Sequence, residues 1–418
     1  MNDDYLLPSM EDLCWLLSAE AAPILDEMAP RDTSDFGVVS ELHKRIGQDR
    51  AVLLLQQIEL RRRARVKFPE ADRMFFTPLG LEQATDGWVA AYKASRIPRA
   101  TGSAPLGDFC CGIGGDLSAL ARDREAIGIE RDPIVALFAR ANAELLGATS
   151  CDVRTEDVAE IDPSEFATWH IDPDRRPGGS RTTHLEMQEP SLETLESLLS
   201  KNPNAVMKLA PASDLPEEWT SRCQSEWISR DRQCRQQVAW FGDCAETPGL
   251  RKATRVFGNA ASVAIDSSPS DVKIDFAFVT GEGERPLPRS PESAWGRYLF
   301  EPDPAVLAAD LTGDLAEQNN LTAPNLNIPY LTSDTIPETR LLSTFEIEAV
   351  LPLDRKRVRR LMAERKIGRL EIKKRGVKIN PEQLRKELKL KGSESAVLLV
   401  LPIGKSVTAV LAKRISIR

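Results

Sequence analysis

The 418-residue sequence predicts an α/β fold built on a parallel sheet, with a helical region before it and a smaller α/β module after it. Three observations predict this. From Ala104 to Phe257, short apolar runs alternate with helix-period segments, the pattern of strands joined by crossover helices. Up to about residue 100, apolar residues recur at helical spacing with little β-branched alternation. The last 74 residues, from Phe345 onward, carry their own short strands and helices and a different charge. The length exceeds one ordinary domain. The expected divisions are a helical region over 1–100, the sheet domain over 101–300, a connecting segment over 301–344 and a basic module over 345–418.

Each element has its reason. Asp12 to Leu17 and Val52 to Leu60 carry helical spacing, and Pro69 stops the helix that ends in Arg61-Arg-Arg-Ala-Arg-Val-Lys67. Those five basic residues read as a wet helix end. A helix is predicted over Gly80 to Ser95, then a linker over Ile97 to Pro105. Strands follow at Leu106 to Phe109, Ala126 to Glu130, Ala148 to Val153, Thr168 to Asp172 and Ala205 to Leu209. Helices from about Asp116, over Pro133 to Leu146 and over Ser191 to Leu199 separate them. The second of these has proline in its first turn and Gly147 after its end. Glu226 to Ser229, Gln237 to Phe241 and Ala253 to Phe257 read as later strands, the last closing the sheet. Residues 258–344 are rich in Pro, Gly, Ser and Asn and predict loops with few short elements. The final module reads βαβαββ, with a turn at Gly404.

Composition narrows the function. No run of eighteen apolar residues suggests a membrane span, and the acidic start, Met1-Asn-Asp-Asp-Tyr5, lacks a signal-peptide pattern. Seven cysteines form no CxxC pair and there are three histidines, so no metal site is expected and a reducing, cytoplasmic setting is. Charge is uneven. Residues 345–418 hold 20 Lys and Arg against 8 Asp and Glu, a net of +12, while the rest of the chain carries −20. A basic module on an acidic body suits a polyanionic partner.

Asp108-Phe-Cys-Cys-Gly-Ile-Gly-Gly-Asp116 joins the first strand to a helix. Glycines there let the backbone approach a ligand, and a helix N-terminus offers free amides. A phosphate loop would need Lys after the glycines and has none. A dinucleotide turn wants a third small residue, where Leu117 stands. The remaining reading is S-adenosyl-L-methionine, a cationic cofactor that Asp108 and Asp116 would attract. Gly112 and Gly114 shape the turn and Cys110 lies within it. Both Cys110 and Cys111 read as small packing residues rather than nucleophiles. Glu130, ending the second strand, can accept both ribose hydroxyls. Asp157 can accept from an adenine amine, or cap the turn that follows.

These motifs, with Gly128-Ile-Glu130, Asp132-Pro133 and Ile171-Asp-Pro-Asp-Arg-Arg176, resemble class I S-adenosylmethionine-dependent methyltransferases. The nearest branch is similar to bacterial methyltransferases with a C-terminal THUMP-like domain, distantly like the trimethylguanosine synthase group. Phe75 to Thr85, Tyr298 to Val306 and Ile367 to Gly376 extend the resemblance. It implies a Rossmann-like methyltransferase sheet, a reaction centre at Asp172 and Pro173, and RNA as partner of the THUMP-like domain. Relatives that methylate base amines place Asp/Asn-Pro-Pro-aromatic at this point, so the carboxylate and a following carbonyl aim the amine. This chain reads Asp-Pro-Asp-Arg-Arg and lacks the aromatic. Arg175 and Arg176 are candidates to hold a phosphate. Alternation turns at most one of Trp169 and His170 to the site, and His170 reads as a packed strand residue. Lys208-Leu-Ala-Pro211, where the fifth strand ends, reads as an ordinary strand end or as part of the substrate side of the cleft.

In the basic module, Lys373, Lys374 and Arg375, with Arg355 to Arg360, are the expected phosphate contacts. Phe345 is its single aromatic, so backbone and shape recognition is expected over base stacking. The expected activity is methyl transfer to a base nitrogen in RNA. Two alternatives stay open: an RNA-binding protein that keeps a cofactor pocket without chemistry, and a small-molecule methyltransferase.

Overall fold

The computed structural model describes residues 9–99, 102–147, 150–174, 183–258, 274–290, 295–403 and 406–416. Two compact units divide the chain. One comprises Met1–Glu217, Val238–Glu246 and Val256–Asp275; the other comprises Glu218–Gln237, Thr247–Arg255 and Phe276–Arg418. No described helix is long and apolar enough to cross a membrane.

The first unit opens with α1 (Met10–Leu16), α2 (Ala22–Met28), α3 (Phe36–Ile46) and α4 (Gln48–Ala64). Ser9 and Asp35 cap α1 and α3 by accepting first-turn amides. The helix expected over Gly80 to Ser95 is two, α5 (Pro78–Gln83) and α6 (Gly87–Arg96). The break has a cause: Asp86 caps α6, and the Thr85 hydroxyl donates to Asp116 at 2.6 Å. Then come β1 (Leu106–Phe109), α7 (Gly115–Leu120), β2 (Ala126–Ile129), α8 (Pro133–Leu145), β3 (Cys151–Arg154), β4 (Thr168–Ile171), α9 (Leu192–Lys201) and β5 (Ala205–Leu209). These strands are parallel in the order β3-β2-β1-β4-β5. The order reverses between β1 and β4, where a doubly wound sheet opens its ligand crevice.

The expected division at residue 100 does not separate compact units. Leu16, Leu54, Phe76 and other residues of the N-terminal region bury their side chains in one core with Ile113 of the glycine turn and Phe138 of α8. Nor is the basic stretch on α4 simply wet. Arg61 is buried, donates to the Met74 carbonyl at 2.8 Å and lies over the Phe75 ring; Arg62 reaches the Ala29 and Arg31 carbonyls.

The rest of the chain adds α10 (Glu217–Thr220), β6 (Cys223–Arg230), β7 (Gln233–Phe241), β8 (Arg251–Phe257) and β9 (Asp275–Gly281). Strand β9 flanks β8, so Ala253 to Phe257 does not close that sheet. A second sheet is built from β10 (Tyr298–Pro302), β11 (Leu331–Ser333), β12 (Leu342–Pro352), β13 (Ile367–Lys374), β14 (Glu394–Ile403) and β15 (Ser406–Ile415). Its order is β11-β10-β12-β15-β14-β13. Helices α11 (Pro304–Ala308) and α12 (Thr312–Gln318) precede β11, so residues 301–344 carry elements of their own rather than a bare connection. Helices α13 (Arg355–Glu364) and α14 (Pro381–Leu388) complete the expected βαβαββ order from β12. Alternation along β14 serves two cores: Leu398 and Val400 pack with Val358 and Leu384, whereas Val397 and Leu399 pack with Phe345. The expected turn at Gly404 lies outside the described residues.

Candidate functional site

The glycine turn leaves β1 with an unusual backbone. Cys110 has φ +54° and Gly114 has φ +79°, both in the left-handed region. Glycine is favoured at position 114 by its positive φ and because a Cβ there would crowd the α8 backbone at Ala139, 3.3 Å away. The room that Leu117 denies to a dinucleotide-type third glycine is recovered on the next strand. A Cβ at Gly128 would lie 2.7 Å from the Leu117 side chain.

Beyond the turn lies an open cavity of about 700 Å³ within the first unit, lined by Asp108, Cys110, Gly112, Asp116, Glu130, Asp157, Asp172 and Pro173. Ligand pockets typically fall between about 300 and 1,000 Å³. Residues expected from four separate strand ends are thus brought together. Gly114 shapes the turn without lining the cavity, and Arg175 and Arg176 lie outside the described residues.

Two acidic groups of the turn enter a buried network. Asp108 and His170 are register partners on β1 and β4, which puts their side chains on one face. Asp108 Oδ1 and His170 Nδ1 are 2.7 Å apart, and His170 Nε2 is 2.9 Å from the Lys93 ammonium of α6. Lys93 in turn pairs with Asp116 at 2.8 Å. Lys93 is 1% exposed and His170 and Asp108 are fully buried. Burial pushes the Asp108 carboxyl up, against the pull of His170. Burial also acts on Asp116, but Lys93, His170 and Lys208 outweigh it and hold that carboxyl below its usual range. For Lys93 burial prevails over Asp116 and lowers it. Asp108 Oδ2 is buried and has no hydrogen-bond partner among the described residues.

Trp169 faces away from this network and stacks on Phe109 at 5.4 Å. Burial, followed by neighbouring carboxylates, raises the Cys110 and Cys111 thiols far above their ordinary range, which is unsuited to a nucleophile.

Glu130 accepts from Gly112 N and Asp132 N, both at 3.0 Å, so it braces the turn from which it lines the cavity. Burial raises its carboxyl against those two bonds. Asp157 accepts from Ala159 N at 2.9 Å, so it caps the turn after β3 and lines the cavity as well. Asp172 is ion-paired through Oδ2 with Lys208, whose ammonium also donates to the Gln83 carbonyl at 3.3 Å. Lys208 is therefore more than a strand end. Gln83 Nε2 donates to Asp174 Oδ1 at 3.2 Å.

Sequence reasoning missed the wall contributed by the N-terminal region. Thr77, Gly80, Gln83 and Thr85 line the cavity. Gln57 of α4 holds Phe76 by both backbone groups, at 3.0 and 2.8 Å. Asn142 of α8 does the same for Phe75, at 2.7 and 2.9 Å, and also donates to Ile113 O at 2.9 Å. Two glutamine and asparagine side chains in helical stretches were the available signal.

In the second unit, Lys373 is not a free phosphate contact. Its ammonium pairs with Glu301 at 2.5 Å and lies over the Phe345 ring. Lys374 is exposed but donates to Ile379 O at 2.8 Å, and Arg375 is exposed. On α13, Lys356, Arg357 and Arg359 are exposed, while Arg355 pairs with Glu387 at 3.0 Å.

Comparison with known proteins agrees with this architecture. Residues 342–414 match the THUMP domain-like family. The chain is 29% identical, over 365 residues, to an uncharacterized S-adenosylmethionine-dependent methyltransferase of Mycobacterium tuberculosis, present in two strains. That alignment covers 85% of this chain and 94% of the relative. The crystal structure of a provisionally named methyltransferase from Porphyromonas gingivalis covers 98% of this chain and 100% of its own, with a TM-score of 0.75 and 19% identity. The fold is shared with that protein along nearly its whole length.

Proposed function

We propose that this chain, by fold a class I S-adenosylmethionine-dependent methyltransferase with a C-terminal THUMP-like domain, transfers methyl groups to a base nitrogen in RNA. S-adenosyl-L-methionine is its cofactor. When bound, that cofactor supplies a methyl carbon on a cationic sulfur, open to a nucleophilic nitrogen. The residues present fit it. The single observation that carries the reading is Asp108, a residue of the cavity wall beside the glycine turn, whose buried Oδ2 has no hydrogen-bond partner among the described residues and is an acceptor suited to an ammonium group. Glu130 would accept ribose hydroxyls while bracing Gly112, and Asp157 would keep one oxygen for an adenine amine while capping its turn.

Asp172 is the proposed catalytic residue. Lys208 holds Oδ2, leaving Oδ1 to accept a hydrogen bond from the target amine and to aim its lone pair. The Pro173 carbonyl is the proposed second acceptor. Such orientation can supply roughly 7–11 kcal/mol of barrier reduction in favourable cases. RNA is favoured as acceptor by the net charge of +12 over residues 345–418, which coincide with the THUMP-like match. Lys374, Arg375 and the exposed face of α13 are the proposed phosphate contacts, with Lys373 reserved for Glu301. Incubating the full chain with methyl-labelled cofactor and total RNA tests the reading: label is expected in RNA, and label appearing only in small molecules would refute it.

A further inference from the structure

Gln188 is a buried amide without a hydrogen-bond partner among the described residues, at either Oε1 or Nε2. It is 5% exposed and lines the cavity. Buried amides are almost always paired, so an unpaired one on a residue of the cavity wall points to a ligand's polar groups as its partners. The amide offers one acceptor and two donors on adjacent atoms. Its complement is a ligand with a donor next to an acceptor. An amino-bearing nucleobase has that edge, an exocyclic amine beside a ring nitrogen, and glutamine reads adenine in this way elsewhere. Uracil has no such amine.

The position of Gln188 assigns it to the acceptor rather than to the cofactor. Its neighbour Glu189 exchanges two backbone hydrogen bonds with Asp174, at 2.8 and 3.0 Å, two residues past Asp172. Asp174 is held by Gln83, whose carbonyl accepts from Lys208, the partner of Asp172. Glu130 and Asp157, the candidates for ribose and adenine, follow β2 and β3, although the Glu189 carboxylate also pairs with Arg131, beside Glu130, at 2.7 Å. Apolar surface accompanies the amide. Met187 is 60% exposed and Leu79 is 51% exposed, and both line the same cavity. A polarizable thioether and an aliphatic side chain can cover the face of a base where the aromatic after Asp172-Pro173 is lacking.

Resting on the proposed function, we infer that Gln188, with Met187 and Leu79, forms a subsite that selects an amino-bearing base as methyl acceptor. Its Oε1 accepts one amine hydrogen while Asp172 accepts the other, and its Nε2 donates to the adjacent ring nitrogen. The test is calorimetric titration of AMP, CMP and UMP into the full chain saturated with S-adenosylhomocysteine. AMP or CMP should bind at least about tenfold more tightly than UMP, the discrimination of one bidentate base contact. Gln188→Leu should abolish that preference and the isosteric Gln188→Glu should weaken it, both with unchanged affinity for S-adenosylhomocysteine. Equal binding of all three nucleotides, no nucleotide binding, or a preference that survives in Gln188→Leu would overturn the inference. So would a loss of cofactor affinity in the variants, which would assign the amide to the cofactor. Label transfer to RNA by the wild type, measured alongside, separates failure of this subsite from failure of the proposed function.

Discussion

Lys93, itself 1% exposed, pairs with Asp116 and reaches Asp108 through His170, which makes it the most consequential single residue beside the cavity. A buried charge left without its partner is expensive, so Lys93→Met should destabilise the chain by about 3–5 kcal/mol. Urea denaturation measures this, and an unchanged midpoint would show that Asp116 does not need the ammonium. At this scale the sequence was legible where a residue sits in a local motif. Asp108, Glu130 and Asp172 lie within one residue of the carboxyl ends of their strands, and that end of a parallel sheet faces the crevice. Lys93, His170 and Gln188 were not legible, because their roles come from neighbours distant in sequence, 77 positions for Lys93 with His170 and 62 for His170 with Asp108, or from the lack of one. Asp116 illustrates the difference. Its place in the turn was readable, but its carboxylate is spent on Thr85 and Lys93.

Elements in this chain are held to the site by side chains that imitate backbone. Asn142 is fully buried and satisfies three backbone groups of Phe75 and Ile113. Asn142→Ala would leave them unpaired, at about 1–3 kcal/mol or more, and would loosen the wall formed by Thr77 to Thr85. A lower denaturation midpoint with weaker cofactor binding is expected; weaker binding without any change in stability would contradict this role. The ion pair between Glu301 of β10 and Lys373 of β13 offers a pH test. Burial pushes the Glu301 carboxyl up, but Lys373 and Arg232 outweigh it and hold it below its usual range. A carboxylate with a lowered folded value contributes fully above its unfolded value, about 4.3, and loses that contribution as pH falls through the folded value. The stability gap between wild type and Glu301→Gln should therefore narrow on acidification from about pH 6 to about pH 3. A gap independent of pH would refute the assignment. Strand and helix order were legible from periodicity, including βαβαββ at the end. The split between α5 and α6 was signalled by Thr85-Asp86-Gly87, cap residues before a glycine, but helical spacing on both sides hid it.

The whole molecule joins an acidic body to a basic C-terminal segment, and that asymmetry was readable from composition alone. Which cations stay free was not, because Lys373 turns inward to Glu301. The logarithm of RNA affinity should fall linearly with the logarithm of salt concentration. Reversing Lys374 and Arg375 to Glu should reduce that slope by roughly one unit for each phosphate no longer neutralised. A slope that does not change would move the docking face elsewhere. The central claim is that the cavity between Asp108 and Asp172 transfers methyl groups to RNA. Its most direct test is single-turnover transfer of labelled methyl from S-adenosyl-L-methionine to total RNA by wild type and Asp172→Ala. Label in RNA is predicted for the wild type. For the variant, at least a hundredfold loss of rate is predicted, about 2.7 kcal/mol, with cofactor affinity retained. Transfer at the same rate in both proteins would contradict the claim.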